Sequence, residues 1–446
     1  MLSKTSLLTV AVLLAIVGNT GRLTAQSRTL TMSLEQLFRT ADEHNTSIKS
    51  FESAIHEAEA GVAAAKAERL PDVDAKVSFS YLGGGRITDR DFSNGFGVHI
   101  PHYGNNLALT AQMPIYAGGA IESGINLSRL AQKMAEVNAV DNRQRVRMML
   151  VGYYLGLHNL KNQERVFDEN IALTATLIDH TQKRQSEGVA LRNDLTRYEL
   201  QMESLKLGRT QVQNRAKTVN HQLLTALGME QDIEILPTEA FALEETTDQG
   251  QAAATEQFWQ AEATDNSPAL QRSQLGIAMS EQKVKLEKSA RRPSVALIAE
   301  EHLDGPITFE IPNIDKNINY FFVGVGVKYR FGSLYKNSKK VRQARQAAET
   351  AKQQHQNALE EVENAIQAGY NDLQTAQAEL ATSQKSVELA TQNYDVINNR
   401  YDNGLALVTD MVDAANQRLD AQLRLVNSRI NVLLNYYNLK FLSGTL

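Results

Sequence analysis

The chain has no cysteine. That excludes a disulfide framework, a thiolate metal site, a cysteine nucleophile and a lipid anchor on an N-terminal Cys. Proline is scarce, 8 in 446 residues. None falls in the 122 residues between Pro114 and Pro237, and none in the 134 after Pro312. Proline costs ~3 kcal/mol inside a helix, so such gaps permit very long helices. Positive charge is not in excess: 46 Lys+Arg face 51 Asp+Glu, a net charge of −5. That gives no electrostatic footprint for nucleic acid. A hydrophobic content of 42% and a mean hydropathy of −0.34 exclude a helical membrane bundle.

Long apolar runs are missing except near the start. Lys4 precedes an apolar run from Leu7 to Val17, followed by Leu23-Thr24-Ala25. A charged start, a short apolar core and a small residue before a cut form the export pattern. Eleven residues are too few to span a bilayer, which takes ~20. Residues 1–25 are read as a cleaved signal peptide. Its removal takes Lys4 and Arg22, leaving 44 basic against 51 acidic residues and a net charge of −7. The mature chain is exported, yet holds no helix with which to cross a membrane.

What remains repeats itself. Gly188-Val189-Ala190-Leu191-Arg192-Asn193-Asp194-Leu195 returns 216 residues later as Gly404-Leu405-Ala406-Leu407-Val408-Thr409-Asp410-Met411. The same offset pairs Arg184 with Arg400, Tyr154 with Tyr370, and Leu227-Gly228 with Ser443-Gly444. Upstream the offset is 222, pairing Ile48 with Leu270, Val62 with Val284, Arg69 with Arg291 and Pro71 with Pro293. Solenoid repeats run 20–50 residues, so this is a domain-sized duplication: residues 26–231, a connector over 232–265, and residues 266–446.

Each copy reads helix, strand, strand, long helix, long helix. Leu34 to Arg69 has helical periodicity and stops before Pro71. The period then becomes two. Val73, Ala75, Val77, Phe79 and Tyr81 alternate with Asp74, Lys76, Ser78 and Ser80. After Gly83-Gly84-Gly85 and a polar loop, Leu107 to Ile115 alternate again. Copy two offers a weaker strand at Val295-Leu297-Ala299 and a stronger one from Phe321 to Phe331. We place the strands at 73–82, 106–116, 294–302 and 318–331. Ten-residue strands of this kind fit a tilted membrane crossing of ~9–11 residues. They fit a half-buried sheet of a soluble domain equally well. Four strands cannot close a membrane barrel, which starts at about eight, so the membrane reading needs an oligomer.

The helical period then returns. Gly119 to about Glu187 would be ~100 Å long at 1.5 Å per residue. The next helix carries a coiled-coil seam through Leu195, Tyr198, Met202, Leu205, Val212, Ala216, Val219 and Leu223, broken only by Arg209. Gly188 and Gly404 sit between helices as turn residues. The connector reads as polar and irregular, with one short helix near Phe258-Trp259.

No catalytic or cofactor motif is present. Gly83–Gly85 lacks the Lys-Ser/Thr of a phosphate loop, and there is no His-Glu-x-x-His. His99 and His102 share a loop but lack a third ligand. Glu300-Glu301 and Glu360-Glu361 read as solvated charges, and Tyr153-Tyr154 as helix packing. The chain is not read as an enzyme, and no cofactor is expected.

These features together resemble the TolC-type outer-membrane efflux family. The specific parts are Arg-x-x-x-Gly-Val-Ala-Leu-x-x-Asp at 184–194 and Arg-Tyr-x-x-Gly-Leu-x-x-x-x-Asp at 400–410. Asn266-Ser267-Pro268-Ala269-Leu270, Arg-x-Pro at 291–293 and Pro114-Ile115-Tyr116-Ala117-Gly118-Gly119 add to them. The resemblance covers about Ser33 to Gly444. It implies a mainly α fold with a β-barrel contribution: a homotrimer with four transmembrane β-strands per chain, a 12-stranded barrel and an α-helical tunnel of coiled-coil helices. It implies a passive exit duct in the outer membrane of a Gram-negative bacterium, with a long periplasmic extension. Partners would be outer-membrane lipid, a periplasmic adaptor protein and an inner-membrane pump, with no nucleic acid. Adaptor contact would fall on Gly188, Val189, Ala190, Leu191, Gly404, Leu405, Ala406 and Leu407. The periplasmic gate would use Asp410, Asp413, Tyr401 and Asp194, the tyrosine being tied to Asp194 on the neighbouring coil. One departure is Ala406, where the family's best-known member has arginine. A periplasmic adaptor is the rival reading, but it would carry one helical hairpin and compact β domains. A purely structural coiled coil would not need four alternating strands.

Overall fold

Turn chemistry divides the chain as the sequence suggests. Ser33 opens the first helix with a capping box: Gln36 N donates to Ser33 Oγ, and Ser33 N donates to Gln36 Oε1. The computed structural model describes residues 28–238 and 255–446. The expected signal peptide and the middle of the connector lie outside them. The element order begins β1 (Arg28–Met32), α1 (Leu34–His44), α2 (Thr46–Ala67), β2 (Asp72–Tyr81), β3 (Gly85–Ile87), β4 (Phe96–Val98) and β5 (Tyr103–Tyr116). It continues with α3 (Ala120–Ser186), α4 (Arg192–Leu227) and β6 (Ile233–Pro237). Then come α5 (Glu256–Asn266), α6 (Pro268–Ser289), β7 (Ser294–Gly305), β8 (Ile318–Lys328), α7 (Ser333–Asp402) and α8 (Val408–Leu442). No described helix is long and apolar enough to cross a membrane.

The chain falls into two compact units. The first gathers 28–45, 149–238 and 376–434. Its core is Leu150, Tyr154, Leu155, Tyr198, Leu223, Leu224, Leu227 and Met411. The seam read along α4 is this packed stripe. Arg209, which interrupts it, pairs with Asp168 of α3 at 2.7 Å. Two features were not expected. The helix read as continuous from Leu34 breaks at Asn45, whose Nδ2 donates to Ala226 O at 2.7 Å. And the connector is not wholly irregular, because β6 pairs in parallel with β1. Tyr154 locks that pair: fully buried, it donates to Met32 O at 2.8 Å and accepts from Thr238 N at 3.3 Å.

The second unit gathers 46–148, 255–375 and 435–446. Trp259 of α5 is buried against Tyr436. Arg272 of α6 pairs with Asp141 of α3 at 2.7 Å. The unit also holds one antiparallel sheet in the order β2-β5-β7-β8. A register shift between Pro114 and Tyr116 bends its β5–β7 pair. The four strands lie where the alternation placed them, within a few residues. The polar loop between β2 and β5 contains the small β3–β4 hairpin.

Candidate functional site

The two repeated Gly motifs make one local structure, built twice. Gly188 and Gly404 take φ of +77° and +73°, the left-handed region that glycine enters without a Cβ penalty. Each closes a helix with the paired bonds of a Schellman cap. Val189 N donates to Arg184 O and Gly188 N to Gln185 O; Leu405 N donates to Arg400 O and Gly404 N to Tyr401 O. Six residues after each glycine, a carboxylate sits in the first turn of the next helix. Asp194 Oδ2 accepts from Leu191 N at 3.2 Å, and Asp410 Oδ2 from Leu407 N at 3.0 Å. A carboxylate in a first turn also meets the positive end of the helix dipole. Nothing lies within 4 Å of a Cβ built on either glycine, so the backbone conformation, not space, selects glycine there.

Both turns belong to the first unit, and the fold brings them together around a cavity of about 300 Å³. Arg184, Asp194, Arg197, Tyr401, Ala406 and Leu407 line part of it. Beneath it sits a core of Tyr198, Tyr394, Tyr401, Val408, Met411 and Ala414. Tyr401 meets Tyr198 edge-on at 6.5 Å, and the Arg184 guanidinium lies over its ring at 5.4 Å. Arg418 lies over Tyr394 at 3.9 Å. The Tyr198 hydroxyl is buried close to Tyr401 without a well-formed hydrogen bond. Burial foremost, then its neighbour Tyr401, holds that phenol well above the ordinary tyrosine range. The turns present apolar side chains to solvent: Val189, Leu191, Leu405 and Leu407 are each roughly two-thirds exposed.

Of the expected gate residues, Asp194 and Asp410 cap their own helices within this chain. Asp413 is exposed and accepts from Gln417 Nε2 at 2.7 Å. It lies one turn after Asp410, on the same face. Tyr401 is buried against Tyr198 and lines the same cavity as Asp194. Arg184 and Arg197 drew no expectation of a role, although Arg184 belongs to the repeated motif. Tyr198 stood in the α4 seam, which gave no hint that its partner would be Tyr401.

The sheet is the second notable region. Directly opposed residues share a face. Val73, Ala111, Ala299 and Val323 form one such row, and Met113, Leu297 and Val325 another. This face leaves Val73, Val77, Phe79, Val323, Val325 and Val327 more than 60% exposed. Soluble monomers rarely expose so large a contiguous apolar patch. The other face is polar. There His302 Nε2 lies 3.0 Å from Glu300 Oε2, and the His302 ring stacks on Tyr320. Asn106 Nδ2 donates to Asp304, as does the Tyr320 hydroxyl at 3.4 Å. Glu300 is therefore a partnered group and not simply a solvated charge. A ten-residue strand is ~34 Å long and, tilted by ~40°, covers ~26 Å, near the ~25 Å apolar band of membrane barrels. Among the described residues β2 and β8 each have one unpaired edge, a template for further strands.

The remaining candidates are structural. His102 Nδ1 lies 2.9 Å from Leu82 O, and its ring stacks on Tyr81. Among the described residues no three ligand-type side chains gather as a metal site.

Comparison with known proteins agrees with this geometry. The family model described as outer membrane efflux protein matches residues 37–229 and 259–445. No curated protein sequence matches the chain. Solved structures do. The outer membrane protein VceC from Vibrio cholerae is 16% identical with a TM-score of 0.73, covering 92% of this chain and 96% of its own. The Campylobacter jejuni CmeC outer membrane channel is 16% identical with a TM-score of 0.73, covering 92% and 85%. The Neisseria gonorrhoeae MtrE outer membrane channel, solved in an open state, is 13% identical with a TM-score of 0.68, covering 93% and 89%.

Proposed function

The chain belongs to the outer membrane efflux protein family, a family of transport channels and not of enzymes, and from that premise we propose that it is a homotrimeric exit duct. The observation that carries the reading is the open four-stranded sheet, apolar on one face and polar on the other. β2 and β8 run in opposite directions, so β2 of a second copy continues the antiparallel order beyond β8. Three copies then supply twelve strands, an even number, with no edge left over. The apolar face meets lipid and the polar face lines the lumen. The long helices of three copies continue as a tunnel in the periplasm. Matching caps at Gly188 and Gly404, and at Gly228 and Gly444, support residues 26–231 and 266–446 as two copies of one unit joined by 232–265.

The duct is passive. An inner-membrane pump supplies energy, and a periplasmic adaptor docks on the helix tips, where Val189, Leu191, Leu405 and Leu407 offer apolar contact and Gly188, Ala190, Gly404 and Ala406 keep the turns small. Three copies of Asp410 and Asp413 form a ring of six carboxylates at the periplasmic entrance. Like charges so placed hold cations and resist anions. With Ala406 in place of an arginine, closure rests on the Tyr198–Tyr401 core and on contacts between chains.

Planar-bilayer recording tests the duct and its entrance together. The wild type should conduct, prefer cations and be blocked by divalent cations. Asp410→Asn with Asp413→Asn should weaken both properties with the trimer intact. Absent conductance refutes the duct. Unchanged selectivity and block return both carboxylates to helix capping.

A further inference from the structure

One end of the sheet carries a charge asymmetry that the duct reading leaves unused. The β8 strand ends at Lys328, and α7 begins at Ser333. From Arg330 to Arg345 the chain holds six basic residues and no acidic one: Arg330, Lys336, Lys339, Lys340, Arg342 and Arg345. All six are exposed. None forms an ion pair among the described residues, whereas Lys183, Lys206, Lys385 and Arg424 each pair with a carboxylate three or four residues away on their own helix. The equivalent junction in the first half is different. After β5, α3 starts at Ala120 with Glu122, which pairs with Arg69, and its first basic residue is Arg129.

The basic stretch is continuous with the apolar face of the sheet. Phe331 is 74% exposed and meets Tyr329 edge-on at 5.0 Å. Leu334 and Tyr335 are more than half exposed. Aromatic side chains at the end of an apolar strand mark the level of the headgroups. Asn337 Nδ2 donates to Glu287 O, and Val341, Ala344 and Ala348 are buried, so α7 is held in place and the cations occupy the surface left over. At 1.5 Å per residue, Lys336, Lys339 and Lys340 lie at most ~11 Å from the helix start. That is about one Debye length at physiological salt. Arg342 and Arg345 lie up to ~18 Å away, where screening removes most of their effect.

We propose that Arg330, Lys336, Lys339 and Lys340, beneath the Phe331–Tyr335 aromatic rim, bind the phosphates of anionic phospholipid headgroups in the periplasmic leaflet. The proposal rests on the outer-membrane reading and gives that membrane contact a chemical class. Charge complementarity selects the lipid: clusters of four to eight Lys/Arg beside a membrane segment recognise anionic surfaces. The effect is to fix the height of the barrel in the bilayer and to enrich acidic lipid around the helix collar. One collar per chain means that a trimer carries three.

The full mature protein is reconstituted into nanodiscs of equimolar phosphatidylglycerol and phosphatidylcholine, and the lipid retained after detergent exchange is quantified. Wild type should retain phosphatidylglycerol in clear excess. The Arg330→Gln, Lys336→Gln, Lys339→Gln, Lys340→Gln variant should lose most of that excess, since each basic residue near an anionic surface is worth about fivefold. High salt should abolish the excess in the wild type, which tests the idea even if the variant fails to assemble. Equal retention of the two lipids by an inserted wild type overturns the proposal, as does an excess insensitive to both salt and variant. When lipid A is added to the same mixture, its preferential retention in place of phosphatidylglycerol also overturns the proposal, by assigning the cations to the other leaflet. Failure to enter nanodiscs at all refutes instead the membrane reading beneath it.

Discussion

Replacing Tyr401 by alanine should unfasten the helix tips without unfolding the chain. The side chain is 6% exposed and sits between Tyr198, the Arg184 guanidinium and Met411. Aromatic-to-alanine changes in cores cost about 3–5 kcal/mol, including the cavity left behind. The tip lies beside two turns and can partly collapse, so the low end, about 3 kcal/mol, applies. That corresponds to a roughly 100-fold rise in local opening, because each 1.4 kcal/mol is about tenfold. Hydrogen exchange reads this directly, as faster exchange of the amides of Val189, Ala190 and Leu405, which bond to Arg184 O and Arg400 O. Amides of the β1–β6 pair should not change. Tyr401→Phe keeps the ring and its packing, and should raise opening no more than about fivefold, the worth of one ordinary hydrogen bond. An alanine effect below tenfold would refute the packing account. A phenylalanine effect as large as the alanine effect would show that the hydroxyl, bonded to a carboxylate such as Asp194 of a neighbouring coil, holds the tip instead.

Gly118→Ala should cost more than Gly188→Ala, although both take positive φ. At Gly118 the new Cβ meets Ser289 O at 2.5 Å, whereas at Gly188 it meets nothing within 4 Å. We expect about 1 kcal/mol at Gly188 from backbone strain alone and ~2–4 kcal/mol at Gly118 once overpacking is added; thermal melts in detergent that place the two variants level would contradict this. Gly404→Val should impair adaptor docking in a pull-down while leaving oligomer assembly unchanged, and loss of assembly would make the turn structural only. His158 is held below its ordinary pKa by burial first and by Arg165 second. A depressed folded-state pKa contributes stability that is present above ~6.5, the unfolded value, and is lost as pH falls toward the folded value. The thermal midpoint should therefore drop as pH is lowered through ~6.5, and less steeply in His158→Gln; parallel profiles would remove His158 from the explanation.

Much of this architecture was legible because it rests on period and punctuation. The Gly188 and Gly404 turns could be found because left-handed backbone selects glycine and because the motif occurs twice. The long helices followed from the proline gaps. The strands followed from alternation, but alternation does not say what an apolar face meets. Only the unpaired edges of β2 and β8, with the exposure of Val73 and Val325, turn the balance toward lipid. The break at Asn45 was invisible because its cause is a tertiary bond to Ala226 O across 181 residues, while the apolar period runs on through it. The β6 strand was missed because five residues carry too little alternation, and its partner β1 lies near the start of the chain. The Tyr198–Tyr401 contact joins the ends of different hairpins, which no local pattern records.

The central claim is that one chain is a third of a barrel. The most direct measurement is the mass of the mature protein extracted by detergent from the outer-membrane fraction, read by light scattering with the detergent contribution subtracted. Three chains per particle, found with the membranes, is the predicted result. A particle of one chain, recovered from the soluble periplasm without detergent, would contradict the account at its root.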